Sequence, residues 1–140
     1  MERIYLDANV FIAFVKSELG KPFRLMFQET EEFFEQCPKK HIIVLSDHTL
    51  DEIKKIVHYS EGETEGFFRA KGIMIEKIET REKDFKLTLE FCGKGMHKAD
   101  ALHAALAVNA GCNAILTFNK KDFEAVKKFI SAKEPAELLE

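Results

Sequence analysis

Four short apolar runs, interleaved with segments of helical period, constrain this chain more than any other feature. They are Ile4 to Leu6, "HIIVLS" from His41 to Ser46, "GIMIEKI" from Gly72 to Ile78, and "NAILTF" from Asn113 to Phe118. Such runs favour buried strands. Between them, residues 8–19 and 22–36 read as one helical stretch broken near Gly20 and Pro22. "SDHTLDEIKKIVHY" opens with a Ser/Asp cap before Leu50, Ile53, Ile56 and Val57 at helical spacing. "REKDFKLTLEFCG" and "MHKADALHAALAVNAG" read as helices ended by Gly93 and Gly111. "EGETEG", Glu61 to Gly66, reads as a turn or mobile loop. Alternation of strands and helices predicts α/β layering on a mostly parallel sheet.

With 140 residues, 46% of them hydrophobic, the chain suffices for one compact domain spanning residues 1–140. Its 21 basic and 24 acidic residues leave a net charge of −3, so phosphate binding must be local or metal-mediated rather than a matter of bulk charge. Cys37, Cys92 and Cys112 are odd in number and widely spaced. That suits reduced thiols in a cytosolic protein better than a disulfide framework or a CxxC site. The longest apolar run, Val10 to Val15, is far short of the ~20 residues of a membrane span. A soluble, unexported, cytoplasmic protein without membrane contact is expected.

In parallel sheets, ligands collect outside the carboxyl ends of the strands. Asp7 ends the first run; Asp47, Asp51 and Glu52 follow the second; Asn119 and Asp122 follow "AILTF"; Asp100 lies near the start of the helix leading into that strand. Carboxylates converging from separate segments repel one another unless a cation compensates. Oxygen-only ligands without clustered histidines or thiolates favour Mg²⁺ or Mn²⁺. Around Asp100, Ala101, Ala104, Ala105 and Val108 form a small-residue face that permits close helix approach. Each acid also has a plainer reading: Asp7 as an N-cap, Asp100 as a first-turn partner of the helix dipole, Glu52 as a solvated helical residue, Asp122 as a cap.

"YLDANVFI", "SDHTLDEI", "HKADALHAALA" and "LTFNKKDF", in this order, resemble the PIN-domain ribonucleases, including VapC-type toxins of toxin–antitoxin pairs. The resemblance covers nearly the whole chain. It implies a three-layer α/β/α fold with a central, mostly parallel sheet and an acidic Mg²⁺ or Mn²⁺ pocket. Carried across, Asp7, Glu52 and Asp100 match the core acids and Asp122 the later acid, although some relatives carry an acid where this chain has Asn119. Asn119 and Asp122 thus both stand as candidates for the fourth position. Asn9 and Thr117 match polar positions that support the acids, whereas Asp47 and Asp51 match no role.

The implied activity is hydrolysis of RNA phosphodiesters, leaving 5′-phosphate and 3′-hydroxyl ends. The implied partners are an RNA substrate, an antitoxin protein and a second copy in a homodimer. The residues suit that chemistry, because a carboxylate-held divalent ion acidifies water and neutralises phosphate charge. Asp7 and Asp100 are assigned as direct ligands; Glu52 and Asp122 act through water or position the attacking water. Lys54, Lys55, Lys94, Lys98, Lys120 and Lys121 lie near these acids in sequence and offer phosphate steering. His97 and His103 read as surface or packing residues, and the 13 phenylalanines as core, with Phe23, Phe27 and Phe34 on or near one helix face.

Three other classes compete. A haloacid-dehalogenase-like phosphatase wants a second aspartate two residues after Asp7, where this chain has Asn9. A receiver domain needs an acidic pair there, and "LDAN" supplies one acid. A non-catalytic RNA-binding or scaffold protein gains nothing from acids where phosphate must sit. Within the nuclease reading, a housekeeping RNA-processing enzyme stands beside the toxin.

Overall fold

A computed structural model describes residues 1–20 and 24–140. In chain order the elements are β1 (Glu2–Leu6), α1 (Ala8–Val15), β2 (Leu19–Gly20), β3 (Arg24–Leu25), α2 (Met26–Gln36), β4 (His41–Ser46), α3 (Asp47–Val57), α4 (Glu61–Ala70), β5 (Met74–Ile78), α5 (Glu82–Cys92), α6 (Lys98–Asn109), β6 (Ala114–Leu116) and β7 (Ser131–Lys133). Short 3₁₀ turns follow α2, β6 and β7. The main sheet is parallel throughout, in the order β5-β4-β1-β6-β7, while β2 and β3 form a separate antiparallel pair.

Period-two alternation along the central strands sorts residues onto two buried faces. Ile4, Leu6, Ile43, Leu45, Ala114 and Leu116 join one cluster with Phe11, Phe33, Phe34, Ile53 and Phe68 from α1, α2, α3 and α4. Tyr5, Val44 and Ile115 face the other way, toward Phe91 of α5 and Ala101, Ala104, Ala105 and Leu106 of α6. Helices on both faces explain why these strands read as continuous apolar runs. The result is a three-layer α/β/α architecture.

Two local expectations need correction. Helix α1 stops at Val15 rather than running to residue 19. Ser17 adopts a left-handed backbone (φ 51), while the Ser17 N–H bonds to Phe14 O and the Glu18 N–H to Ala13 O, a Schellman ending that commits the chain to a turn. Gly111 (φ 70) ends α6 with the same pair of bonds, from Gly111 to Val108 and from Cys112 to Ala107. Second, Glu61 to Gly66 is not a loop but the first part of α4. Ser60 and Glu63 form a reciprocal capping box that offsets the helix-weakening Gly62 and Gly66.

On α2 the buried residues are Thr30, Phe33 and Phe34, and Phe27 is only half-buried. Phe23 lies outside the described residues. The reading of phenylalanine as core holds on this face, where Phe11, Phe14, Phe34, Phe67 and Phe68 meet ring to ring at centroid distances of 5.3–5.7 Å. Cys37, Cys92 and Cys112 are free thiols, and burial pushes the Cys37 thiol up to about 12. Among the described residues, no helix is long and apolar enough to cross a membrane.

Candidate active site

β1 pairs with β4 on one side and β6 on the other, so chain order reverses at β1 and a crevice opens at its carboxyl end. Asp7 is the first residue beyond β1 and caps α1, accepting from the Asn9 N–H at 3.4 Å. Its plainer reading as an N-cap is therefore realised. The Thr117 hydroxyl donates to Asp7 Oδ2 at 2.8 Å; Asn9 Nδ2 donates to the Thr117 hydroxyl at 3.1 Å; Asn9 Oδ1 accepts from the Phe118 N–H at 3.2 Å. These bonds tie the end of β1 to the end of β6 and fix one Asp7 oxygen. Thr117 also accepts from the Asn119 N–H at 3.0 Å, shaping the turn after β6.

The crevice is lined by Asp7, Asn9, Ile12, Glu52, Asp100 and Asn119, with His103 at its floor. Burial, followed by the charges of Asp122 and Asp7, raises the Asp100 carboxyl above its ordinary value, so the three aspartates share one field. Burial likewise raises Asp7, against the opposing pull of His103 and Thr117. Among the described residues, none of Asp7, Glu52, Asp100 and Asp122 forms an ion pair with lysine or arginine. Oxygen donors whose charge is raised in cost by burial and mutual repulsion fit a divalent cation.

His103 departs from the surface-or-packing expectation. It is 2% exposed, yet both ring nitrogens have polar partners: Nδ1 lies 2.6 Å from the Tyr5 hydroxyl and Nε2 lies 2.6 Å from Glu52 Oε1 and 3.7 Å from Asp7 Oδ1. For Glu52, burial acts upward, but the His103 hydrogen bond and charge prevail and hold its carboxyl below the ordinary range. Behind His103, Tyr5 meets Ser46 Oγ at 2.7 Å, and the Thr49 hydroxyl donates to Leu6 O at 2.7 Å. His48, one turn before Glu52 on α3, packs its ring 4.2 Å from that of His103. Burial, then His103, lowers the His48 imidazole below its usual value.

A sequence signal for this was present in two spacings. His103 stands three residues after Asp100, and His48 four before Glu52, so each histidine shares a helix face with a candidate acid. His97, by contrast, is exposed. The steering expectation is thinned, because Lys55 pairs with Asp51 (3.4 Å), Lys120 with Glu137 (2.5 Å), and Lys94 lies over the Phe129 ring. Asp47, which matches no role in the resemblance, accepts from the Thr80 N–H and hydroxyl.

The PIN domain family model matches residues 4–129. Among solved structures, the chain is similar to one described as a toxin–antitoxin complex from Klebsiella pneumoniae, at 18% identity and a TM-score of 0.63, covering 94% of this chain and 98% of that one. It is also similar to one described as VapBC2 from Rickettsia felis bound to a DNA fragment from their promoter, at 19% identity and a TM-score of 0.61, with the same coverage of 94% and 98%. At these identities the likeness is one of fold. No curated protein matches the chain.

Proposed function

The chain belongs to the PIN-domain family, and from that premise we propose that it is a metal-dependent endoribonuclease hydrolysing RNA phosphodiester bonds. The observation that carries this reading is the meeting of buried Asp7 and half-buried Asp100 in one crevice, with Asp122 in their field and no lysine or arginine paired to any of them among the described residues. Asp7 and Asp100 would hold Mg²⁺ or Mn²⁺ directly. When bound, the ion supplies an acidified water and neutralises phosphate charge.

The chain's own residues do the rest. Thr117 engages Asp7 Oδ2 and leaves Oδ1 as the oxygen nearer the crevice floor. Glu52 is placed to hold or orient a water, since His103 engages its Oε1. Asp122 is exposed on the 3₁₀ turn Lys120–Val126, its N–H bonded to Asn119 O. That exposure suits contact through water. Asn119 is assigned to shaping the turn rather than to the fourth acidic position.

We further propose an antitoxin protein as a partner and a homodimer as the working assembly. The first is supported by likeness of fold to chains from toxin–antitoxin complexes.

The test compares wild type with Asp100→Asn on a panel of labelled RNAs in Mn²⁺, Mg²⁺ or EDTA. Cleavage is expected in wild type and lost with EDTA. Because metal charge stabilisation supplies several kcal/mol and 1.36 kcal/mol is tenfold in rate, Asp100→Asn should lower cleavage by about 10³-fold. A folded wild type that neither binds these ions nor cuts any RNA overturns the reading and points to a non-catalytic scaffold.

A further inference from the structure

We propose that His48, Glu52 and His103 form a nitrogen-rich metal subsite beside the aspartate pocket, one that takes a divalent first-row transition ion in preference to Mg²⁺. The proposal goes beyond the nuclease reading, with which it shares Glu52. One ligand atom from each of the three residues lies within 4.8 Å of the other two. Two imidazoles and one carboxylate are a donor set for Mn²⁺, Co²⁺ or Zn²⁺, whereas Mg²⁺ favours oxygen.

Proximity alone would be weak ground, and the groups outside the cluster add a second observation. Imidazoles that bind metal almost always engage their other nitrogen with a fixed partner, which sets tautomer and orientation. Both histidines have one. His48 Nε2 donates to the Ala99 carbonyl at 3.2 Å, so a neutral His48 ring keeps its lone pair on Nδ1. His103 Nδ1 meets the Tyr5 hydroxyl at 2.6 Å, which leaves Nε2 directed at Glu52.

The hydroxyls behind His103 allow it to present either a proton or a lone pair. With Nε2 protonated and donating to Glu52, the Tyr5 hydroxyl donates to Nδ1 and the Ser46 hydroxyl to Tyr5. In the opposite sense, Nδ1–H donates to Tyr5, Tyr5 to Ser46, Ser46 to Thr49 at 3.2 Å, and Thr49 to the Leu6 carbonyl. Every buried hydroxyl hydrogen has an acceptor in both senses, so the swap strands no buried polar group. In the second sense Nε2 turns a lone pair toward Glu52, an acceptor-to-acceptor contact that a cation between them relieves.

The probe is Co²⁺, titrated into metal-free full-length protein and followed by paramagnetically shifted imidazole N–H resonances and by binding affinity. Wild type should show shifted resonances from two histidines. Outer partners of metal-ligating histidines are worth about 10–100-fold in affinity, so Tyr5→Phe should weaken Co²⁺ by at least about tenfold, and His48→Gln, which removes a direct ligand, by no less. His48→Gln should also lose one resonance and leave Mg²⁺ affinity within about twofold, a split that general loss of structure would not produce. Thermal unfolding checks that both variants fold. Asp100→Asn should keep both resonances. Bound Co²⁺ without shifted imidazole resonances, or Co²⁺ affinity unchanged in folded His48→Gln and Tyr5→Phe, overturns the proposal. Cleavage without the imidazole signature defeats this subsite alone; the signature without metal-dependent RNA cleavage defeats the nuclease reading alone.

Discussion

The two faces of the central sheet are closed by different means. On one, α1, α2 and α4 bring in Phe11, Phe33, Phe34 and Phe68, with Phe34 meeting Phe33 and Phe68 edge to face and Phe11 tilted against Phe68. On the other, α6 presents Ala101, Ala104, Ala105 and Ala107, all fully buried. Aromatic bulk fills volume and holds helices at a distance, whereas alanines let a backbone come close. Close approach is what places His103 of α6 against Tyr5 of β1 and Glu52 of α3. One face is built for stability, and the other allows a polar site to be assembled beneath the strand ends.

This contrast can be broken from either side. Phe68→Ala should cost the most, about 3–5 kcal/mol of unfolding free energy, because a fully buried ring leaves a cavity. Divalent-ion affinity of the folded fraction should stay the same; denaturant unfolding and metal titration on one sample measure both. Ala105→Leu should cost less, about 1–3 kcal/mol by overpacking, yet weaken ion binding because α6 is pushed away. Equal effects of the two variants on ion affinity would erase the distinction between the faces.

A smaller change isolates charge. Burial raises Asp7 and Asp100, so in metal-free protein the folded state holds their protons more tightly than the unfolded state does. Stability should therefore fall as pH rises from the unfolded carboxylate range through the raised folded values, and remain lower above them. Glu52, whose carboxyl is lowered, acts in the opposite sense: its contribution is present at neutral pH and lost as pH falls through its folded value. Asp7→Asn keeps the N-cap, since asparagine caps as well as aspartate. It should raise metal-free stability at neutral pH and flatten the slope. The urea midpoint against pH reports it. Smallest is Ser60→Ala, about 1 kcal/mol, through loss of the α4 cap, with ion affinity unchanged.

The layered fold was legible because both faces of β1, β4 and β6 are buried, which writes itself as unbroken apolar runs. The acids were legible because they follow those runs. What escaped has physical reasons. Ser60 and Glu63 cap a helix that Gly62 and Gly66 disguise as a loop, and the left-handed Ser17 carries no glycine to announce a turn. His103, set among alanines, looks like packing until Tyr5 is seen to face the same side. The strand β7 and the turn Pro135–Leu138 carried no pattern distinct enough to read, being short and only partly buried.

Placement of the first strand at the centre of the sheet has a consequence for synthesis. β1 leaves the ribosome well before its neighbour β6 and the Thr117 hydroxyl that holds Asp7, which come 110 residues later. A nascent chain that has made Asp7 and Glu52 still lacks Asp100, His103 and Thr117. Pairings of such long sequence separation form late. The crevice is thus assembled only once α6 and the strand β6 have been made, and a chain cut short before α6 lacks it.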